Sequence, residues 1–365
     1  MKGFGSLPPL EIGDLVIKLP IVQGGMGVRV SASRLASAVS NEGCLGTVAS
    51  VGTGEEWADR SIDYPTRSYL SLRALLKETR ALTNKPFAVN IMCALNNYDS
   101  LVEASVGENV AAIVSGAGLP LKLPALVKNP AIKLIPIVSS GRAADIIART
   151  WTRRYSRPPD AFVVEGPLAG GHLGFKLEDA QGPETAILEK IVKEVLQVAA
   201  EIGETVGRKI PVVAGGGLFD GHDIAHFLKL GASGVQMATR FVCTDECDAS
   251  DKYKQAYVNA RKEDIILIKS PLGLPLRVVR NAFVDRITKG ERVEFRCQYR
   301  CLAPCDPKET NYCIAQALVN SYRGNMSEGI VTCGANAYRI DKIVSVHDLV
   351  KELVHEAIAD LAKST

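Results

Sequence analysis

Eight short apolar runs, at residues 19–23, 45–49, 87–92, 111–115, 134–138, 161–165, 211–214 and 234–238, narrow the folds open to this chain more than any other feature. They are mainly Val, Ile, Leu, Ala and Phe in continuous stretches, not an apolar/polar alternation, and Gly, Pro or Asn punctuate them. Continuous apolar strands belong to parallel sheets covered on both faces. Amphipathic stretches with helical spacing lie between the runs, at 31–40, 142–152, 185–206 and 221–230. Eight such repeats before residue 243 predict an α/β fold, a (β/α)8 TIM barrel, although a doubly wound open sheet would use the same elements.

Two stretches depart from the repeat. Residues 53–85 are long for a connection and predict an extra helix over the barrel mouth. From 243 to 365 the period is helical, with a strand hint at 329–332. This predicts a barrel over 1–242 and an appended C-terminal helical region, 243–365, packed on it.

Composition excludes several classes. The 43 basic and 40 acidic residues are interspersed and leave a net charge of +3, without the basic stripe of a nucleic-acid binder. The N-terminus lacks an apolar h-region and no run of 18 uncharged apolar residues occurs, which predicts a cytoplasmic protein with no membrane partner. Nine cysteines, an odd number, argue against a disulfide framework and for reduced thiols, metal ligation or both.

In a barrel, chemistry gathers at the carboxyl ends of the strands. The seventh run leads into Ala214-Gly215-Gly216-Gly217-Leu218-Phe219-Asp220-Gly221 and then a helix, where bare backbone and a helix N-terminus suit an anion. The eighth ends in Gln236-Met237-Ala238-Thr239-Arg240-Phe241, adding a hydroxyl and a cation beside the same spot. Together they predict a phosphate site. Gln23-Gly24-Gly25-Met26-Gly27 after the first run allows a flat ligand or a plain turn. Asn90 in the third is a loop anchor or a ligand contact. Glu165 ends the sixth run, and His172 follows in the flexible loop Gly166-Pro167-Leu168-Ala169-Gly170-Gly171, placed over the mouth as a candidate catalytic group. Cys297, Cys301, Cys305 and Cys313 can coordinate an iron–sulfur cluster or zinc, or pack as buried thiols. Arg142, Arg149, Arg153, Arg154 and Arg157 can receive a phosphate, but a solvated helix face explains them better.

Gln-Gly-Gly-Met (23–26), Val-Asn-Ile-Met (89–92), Ser-Gly-Ala-Gly-Leu-Pro (115–120), Glu-Gly-x-x-Ala-Gly-Gly-His-x-Gly (165–174), Ala-Gly-Gly-Gly-x-x-Asp-Gly (214–221) and Val-Gln-Met-Ala-Thr-Arg-Phe (235–241) together resemble the nitronate monooxygenase (2-nitropropane dioxygenase) superfamily. That superfamily includes FMN-dependent enoyl-acyl-carrier-protein reductases. The resemblance implies FMN across the barrel mouth, with Gly25 and Met26 near its ring. It places Asn90, Glu165, Gly170 and Gly171 at the ring and ribityl polar atoms. Gly216, Gly217, Gln236, Met237, Ala238 and Thr239 fall around its phosphate. His172 matches the family's catalytic histidine, and Cys333 falls in a segment that approaches the flavin. Leu168 and Ala238 depart from the usual pattern, and Glu165 leans toward the reductase branch.

The expected activity is oxidation of a nitronate, or reduction of an enoyl thioester with NAD(P)H. The partner is a small-molecule or acyl-thioester substrate, and a homodimer is compatible with the family. The alternative is a flavin protein that passes electrons to a partner through a C-terminal iron–sulfur cluster.

Overall fold

The computed structural model describes residues 6–180 and 185–363. An N-terminal hairpin of β1 (Leu10–Ile12) and β2 (Leu15–Ile17) precedes the barrel. The barrel strands are β3 (Ile21–Gln23), β4 (Gly46–Ala49), β5 (Phe87–Met92), β6 (Ala112–Gly116), β7 (Lys133–Val138), β8 (Phe162–Glu165), β10 (Val212–Gly215) and β11 (Gly234–Met237). All eight expected runs are strands, paired in parallel in the order β3-β11-β10-β8-β7-β6-β5-β4. The open edge closes through a parallel bridge between Val22 and Leu45, where Gln23 N donates to Leu45 O (2.9 Å) and Leu45 N to Ile21 O (2.9 Å). Closure decides for the barrel over the open sheet.

Inward side chains Val22, Leu45, Val114, Ile135, Val163 and Val213 form one buried cluster with Leu10, Ile12 and Ile17 of the hairpin. The hairpin therefore plugs the amino end of the barrel and leaves the carboxyl end for the site. Alternate residues such as Ile21, Val48, Val89, Ile113, Phe162 and Val212 face the outer helices. Burial on both faces explains why the runs carry no polar alternation.

One expectation about the outer ring needs correction. The helix in 53–85, Tyr64–Leu82, packs beside Ser33–Asn41 and Tyr98–Gly107 as the ring's own member after β4, not as an extra helix over the mouth. The last helix, Val346–Ala362, packs against Gly221–Lys229 on one side and Ser33–Asn41 on the other. It thus holds the position of the ring's eighth helix. The segment between β11 and this helix is an excursion from within the last strand–helix unit.

The excursion carries the expected helices Asp251–Val258, Ala282–Thr288 and Ile314–Tyr322. It also contributes β12 (Ile265–Lys269), β13 (Pro275–Val279) and β14 (Val331–Thr332), which build an antiparallel sheet with β9 (Gly171–His172). Only β14 was foreshadowed by the sequence.

The excursion is tied to the barrel by a cap supplied from far along the chain. Helix Ser33–Asn41 has Ala32 at its N-cap, and the Asp248 carboxylate accepts from Ala32 N (2.9 Å), Leu35 N (3.1 Å) and Arg34 N (3.2 Å). Three unmet amide donors meet one carboxylate at the positive end of the helix. Asp248→Ala is expected to cost about 1–2 kcal/mol, read as a lower urea midpoint at unchanged slope.

Candidate functional site

The carboxyl ends of the strands and the excursion sheet enclose a cavity of about 420 Å³, within the range of small-molecule sites. Gly25 and Met26 after β3, Asn90 in β5, Glu165 ending β8 and the loop 168–174 line it, together with Gly216, Gly217 and Gln236–Thr239. The structure thus brings His172 and all twelve residues expected to hold a cofactor to one cavity.

Gly25 shows how closely the backbone is meant to approach. A Cβ there would lie 2.3 Å from Asn90 Cβ, so the two strand ends touch without side-chain padding. The Asn90 and Glu165 side chains make no hydrogen bond to protein among the described residues, although both line the cavity. Burial pushes the Glu165 carboxyl up to about 7.

That shift has a consequence for stability. A carboxyl raised above its unfolded value contributes stability that is complete below about 4.5 and lost as pH rises through about 7. Glu165→Gln should therefore raise the Tm of the ligand-free protein by a few degrees at pH 8 and leave it unchanged at pH 4. Differential scanning calorimetry at the two pH values checks it.

His172 is not in a flexible loop. It lies in β9, opposite Leu276 of β13, with Gly171 opposite Arg277, and Leu173 N donates to Pro275 O (2.9 Å). The ring lines the cavity, and its Nε2 is enclosed with no hydrogen-bond partner among the described residues. Burial drives its pKa down to about 4, so the imidazole is neutral near pH 7. An enclosed, unmet ring nitrogen beside a cavity calls for a ligand atom.

The phosphate expectation is altered in its means. Arg240 is not among the described residues that line the cavity: it donates to Phe219 O (3.0 Å) and Glu352 Oε1 (2.8 Å) and lies over the Phe219 ring. Nor is the N-terminus of helix Gly221–Lys229 open. Asp220 and Asp223 cap it reciprocally, and Gly221 N donates to Glu356 Oε2 (2.8 Å). What remains is bare backbone, with φ of +94° at Gly216 and +97° at Gly217, and the uncapped start of Thr239–Val242. Thr239 Oγ1 accepts from Gly334 N (3.0 Å), which leaves its hydroxyl hydrogen free for another acceptor. No Lys or Arg is among the described residues lining the cavity.

Sequence reasoning gave no role to Gly116–Leu119, Leu274, Tyr253, Tyr257 or Thr332, all of which line the cavity. The motif at 115–120 was the available signal for the first of these. Tyr257 donates from its hydroxyl to Thr332 O and so ties the excursion helix to β14. Cys333 also lines the cavity, as a thiol whose pKa burial pushes up to about 12.

The other cysteines do not form a metal centre. Among the described residues no three His, Cys, Asp or Glu side chains come together where they could hold a metal ion. Cys297, Cys301, Cys305 and Cys313 are free cysteines, and Cys301 and Cys313 pack with Tyr64 and Tyr299. Burial holds Cys301 near 12 and raises Cys305 and Cys313, which favours neutral thiols packed as small apolar groups. Of the arginines, Arg142, Arg149, Arg153 and Arg154 are exposed, whereas Arg157 donates to the carbonyls of Val127 and Ile132. Among the described residues no helix is long and apolar enough to cross a membrane.

A closed parallel barrel whose strand ends meet around a glycine-lined cavity, with an unmet histidine at its edge, is the frame of a ligand-binding barrel enzyme. The chain belongs to the nitronate monooxygenase family, whose family model matches residues 10–356, and it is an oxidoreductase of that superfamily. It is 28% identical to (3aS,4S,5R,7aS)-5-hydroxy-7a-methyl-1-oxo-octahydro-1H-indene-4-carboxyl-CoA dehydrogenase of Mycobacterium tuberculosis, over 94% of both chains. It is also 28% identical to a probable nitronate monooxygenase of Staphylococcus saprophyticus, over 76% of this chain and 80% of that one. Among solved structures it is similar to FabK from Thermotoga maritima, with a TM-score of 0.73 and 29% identity over 95% of both chains.

Proposed function

We propose that this protein is an FMN-dependent oxidoreductase that reduces an enoyl thioester with NAD(P)H. The observation that carries the reading is the neutral, unmet His172 imidazole at the edge of a cavity made largely of bare backbone. Those residues fit FMN. The contact of Gly25 with Asn90 leaves a surface against which a flat ring can lie. Asn90 and Glu165 offer side-chain polar atoms that no group among the described residues uses, and Gly216, Gly217 and Gln236–Thr239 offer bare backbone and the Thr239 hydroxyl hydrogen to a phosphate. When bound, FMN supplies the hydride-transfer chemistry.

The chain's own residues set what meets it. Leu119 and Leu274 line the cavity yet are 44% and 41% exposed, giving apolar lips suited to an acyl group. The relative whose name specifies a CoA thioester aligns over nearly the whole of both chains. A neutral imidazole can donate one hydrogen bond to the thioester carbonyl oxygen. As hydride reaches the β-carbon, negative charge develops on that oxygen and the bond strengthens, which is where it aids the reaction. A proton then adds at the α-carbon, so one hydride and one proton balance the reduced double bond.

Nitronate oxidation is the second reading, favoured by the probable nitronate monooxygenase relatives. There the same imidazole would hydrogen-bond the anionic nitro group. Anaerobic mixing of the flavin-loaded protein with NADH, NADPH, crotonyl-CoA and ethylnitronate separates the two. Bleaching by a nicotinamide and return of colour with crotonyl-CoA is expected; bleaching by ethylnitronate alone overturns the thioester reading.

A further inference from the structure

Arg277 sits in the middle of the excursion sheet, on β13, and is only 4% exposed. Its backbone lies opposite Gly171 of β9, and its carbonyl accepts from Cys333 N (3.1 Å). Its guanidinium turns toward the barrel, where Nη1 donates to Pro167 O (2.8 Å) and Ala169 O (2.5 Å). These two carbonyls belong to the loop between Glu165 and His172. Ala335 N holds a third carbonyl of the same loop, Leu168 O (3.1 Å). Arg277 is not among the residues that line the cavity.

A charged donor makes stronger hydrogen bonds than a neutral one, and a rigid planar guanidinium fixes the spacing of the carbonyls it bridges. The loop it bridges contains Gly166, Gly170 and Gly171, which without a partner would leave the backbone free to move. We propose that Arg277 is a positioning residue: by tying the Pro167 and Ala169 carbonyls to β13, it fixes the separation of Glu165 and His172 across the cavity. It reaches the reaction only through those two groups. The proposal rests on the reading that both face the bound reactants, but its structural half can be measured without turnover.

Full-length Arg277→Lys and Arg277→Met are compared with the native protein by hydrogen–deuterium exchange and by steady-state kinetics with crotonyl-CoA and NAD(P)H. Exchange in peptides covering 166–173 is expected to rise at least ~10-fold in Arg277→Met. Peptides of the outer helix Thr185–Val206 should be unchanged. Misplacement of a reacting group by about 1 Å costs ~10²-fold, so kcat should fall by that factor while KM changes less than ~3-fold. Arg277→Lys should lie between, and added guanidinium should restore part of the loss in Arg277→Met. Exchange that rises across the whole barrel, or not at all, overturns the proposal, as does a KM effect with unchanged kcat. If the native protein turns over neither thioester nor nitronate, the functional reading fails while the exchange comparison still decides whether Arg277 holds the loop.

Discussion

His172→Ala is expected to keep its FMN and to lose at least ~10²-fold in turnover. Two features of the site set that expectation. The ring is held by the pairing of β9 with β13, so removing the imidazole leaves backbone, barrel and Arg277 clamp in place. Apart from the backbone of Gly170 and Gly171, the residues proposed to hold the flavin lie elsewhere: after β3, on β5 and β8, in the loop after β10, and at and just past the end of β11. Flavin content should therefore not follow activity. His172→Gln, which restores a donor without a titrating ring, is expected to recover part of the loss. Absorbance at the flavin band and kcat, measured on the same preparations, read the two quantities separately. Loss of flavin in His172→Ala would make the histidine a cofactor ligand instead.

Gly216→Ala should cut the affinity for FMN by at least ~10-fold, equivalent to about 1.4 kcal/mol. At φ +94° a side chain is strained, and its Cβ would stand 2.8 Å from Gly166 N and 2.9 Å from Gly166 O. These are backbone atoms of the loop after β8, so relief requires the two loops to separate. The resulting displacement falls at the proposed phosphate end of the cavity. Gly207 provides the control: it has φ +69°, but nothing lies within 4 Å of the Cβ it lacks. Gly207→Ala should pay only the backbone strain of about 1–2 kcal/mol and bind FMN normally. Fluorescence titration with FMN and urea midpoints for both variants check the contrast.

The barrel was legible because its strands are buried on both faces, which writes local, continuous apolar runs. The N-terminal hairpin was not anticipated, although Leu10-Glu11-Ile12-Gly13-Asp14-Leu15-Val16-Ile17 carries turn residues between apolar positions, with φ +63° at Gly13. The role of Val346–Ala362 as eighth ring helix was not readable, because periodicity gives a helix but not its neighbours. The same limit hid β9, only two residues long, whose pairing depends on β13 about a hundred residues later.

At the site, residue types were readable and partners were not. Arg240 looked free for an anion in the sequence, but Glu352, far along the chain, takes its charge. Glu356 closes the helix N-terminus in the same way. The cysteine spacing suggested a metal, whereas among the described residues no three such side chains meet in a metal-holding group, and Cys301 and Cys313 pack together against Tyr64 and Tyr299. Arg277 carried no recognisable chemistry until β13 placed its guanidinium against the carbonyls before His172.

The central claim is that this cavity holds FMN. Purification of the full-length protein, heat release of any bound chromophore, and its identification by chromatography and mass test it most directly. The account predicts FMN in near-equimolar amount, displaced in Gly216→Ala and retained in His172→Ala. A colourless protein that also fails to bind added FMN would contradict it.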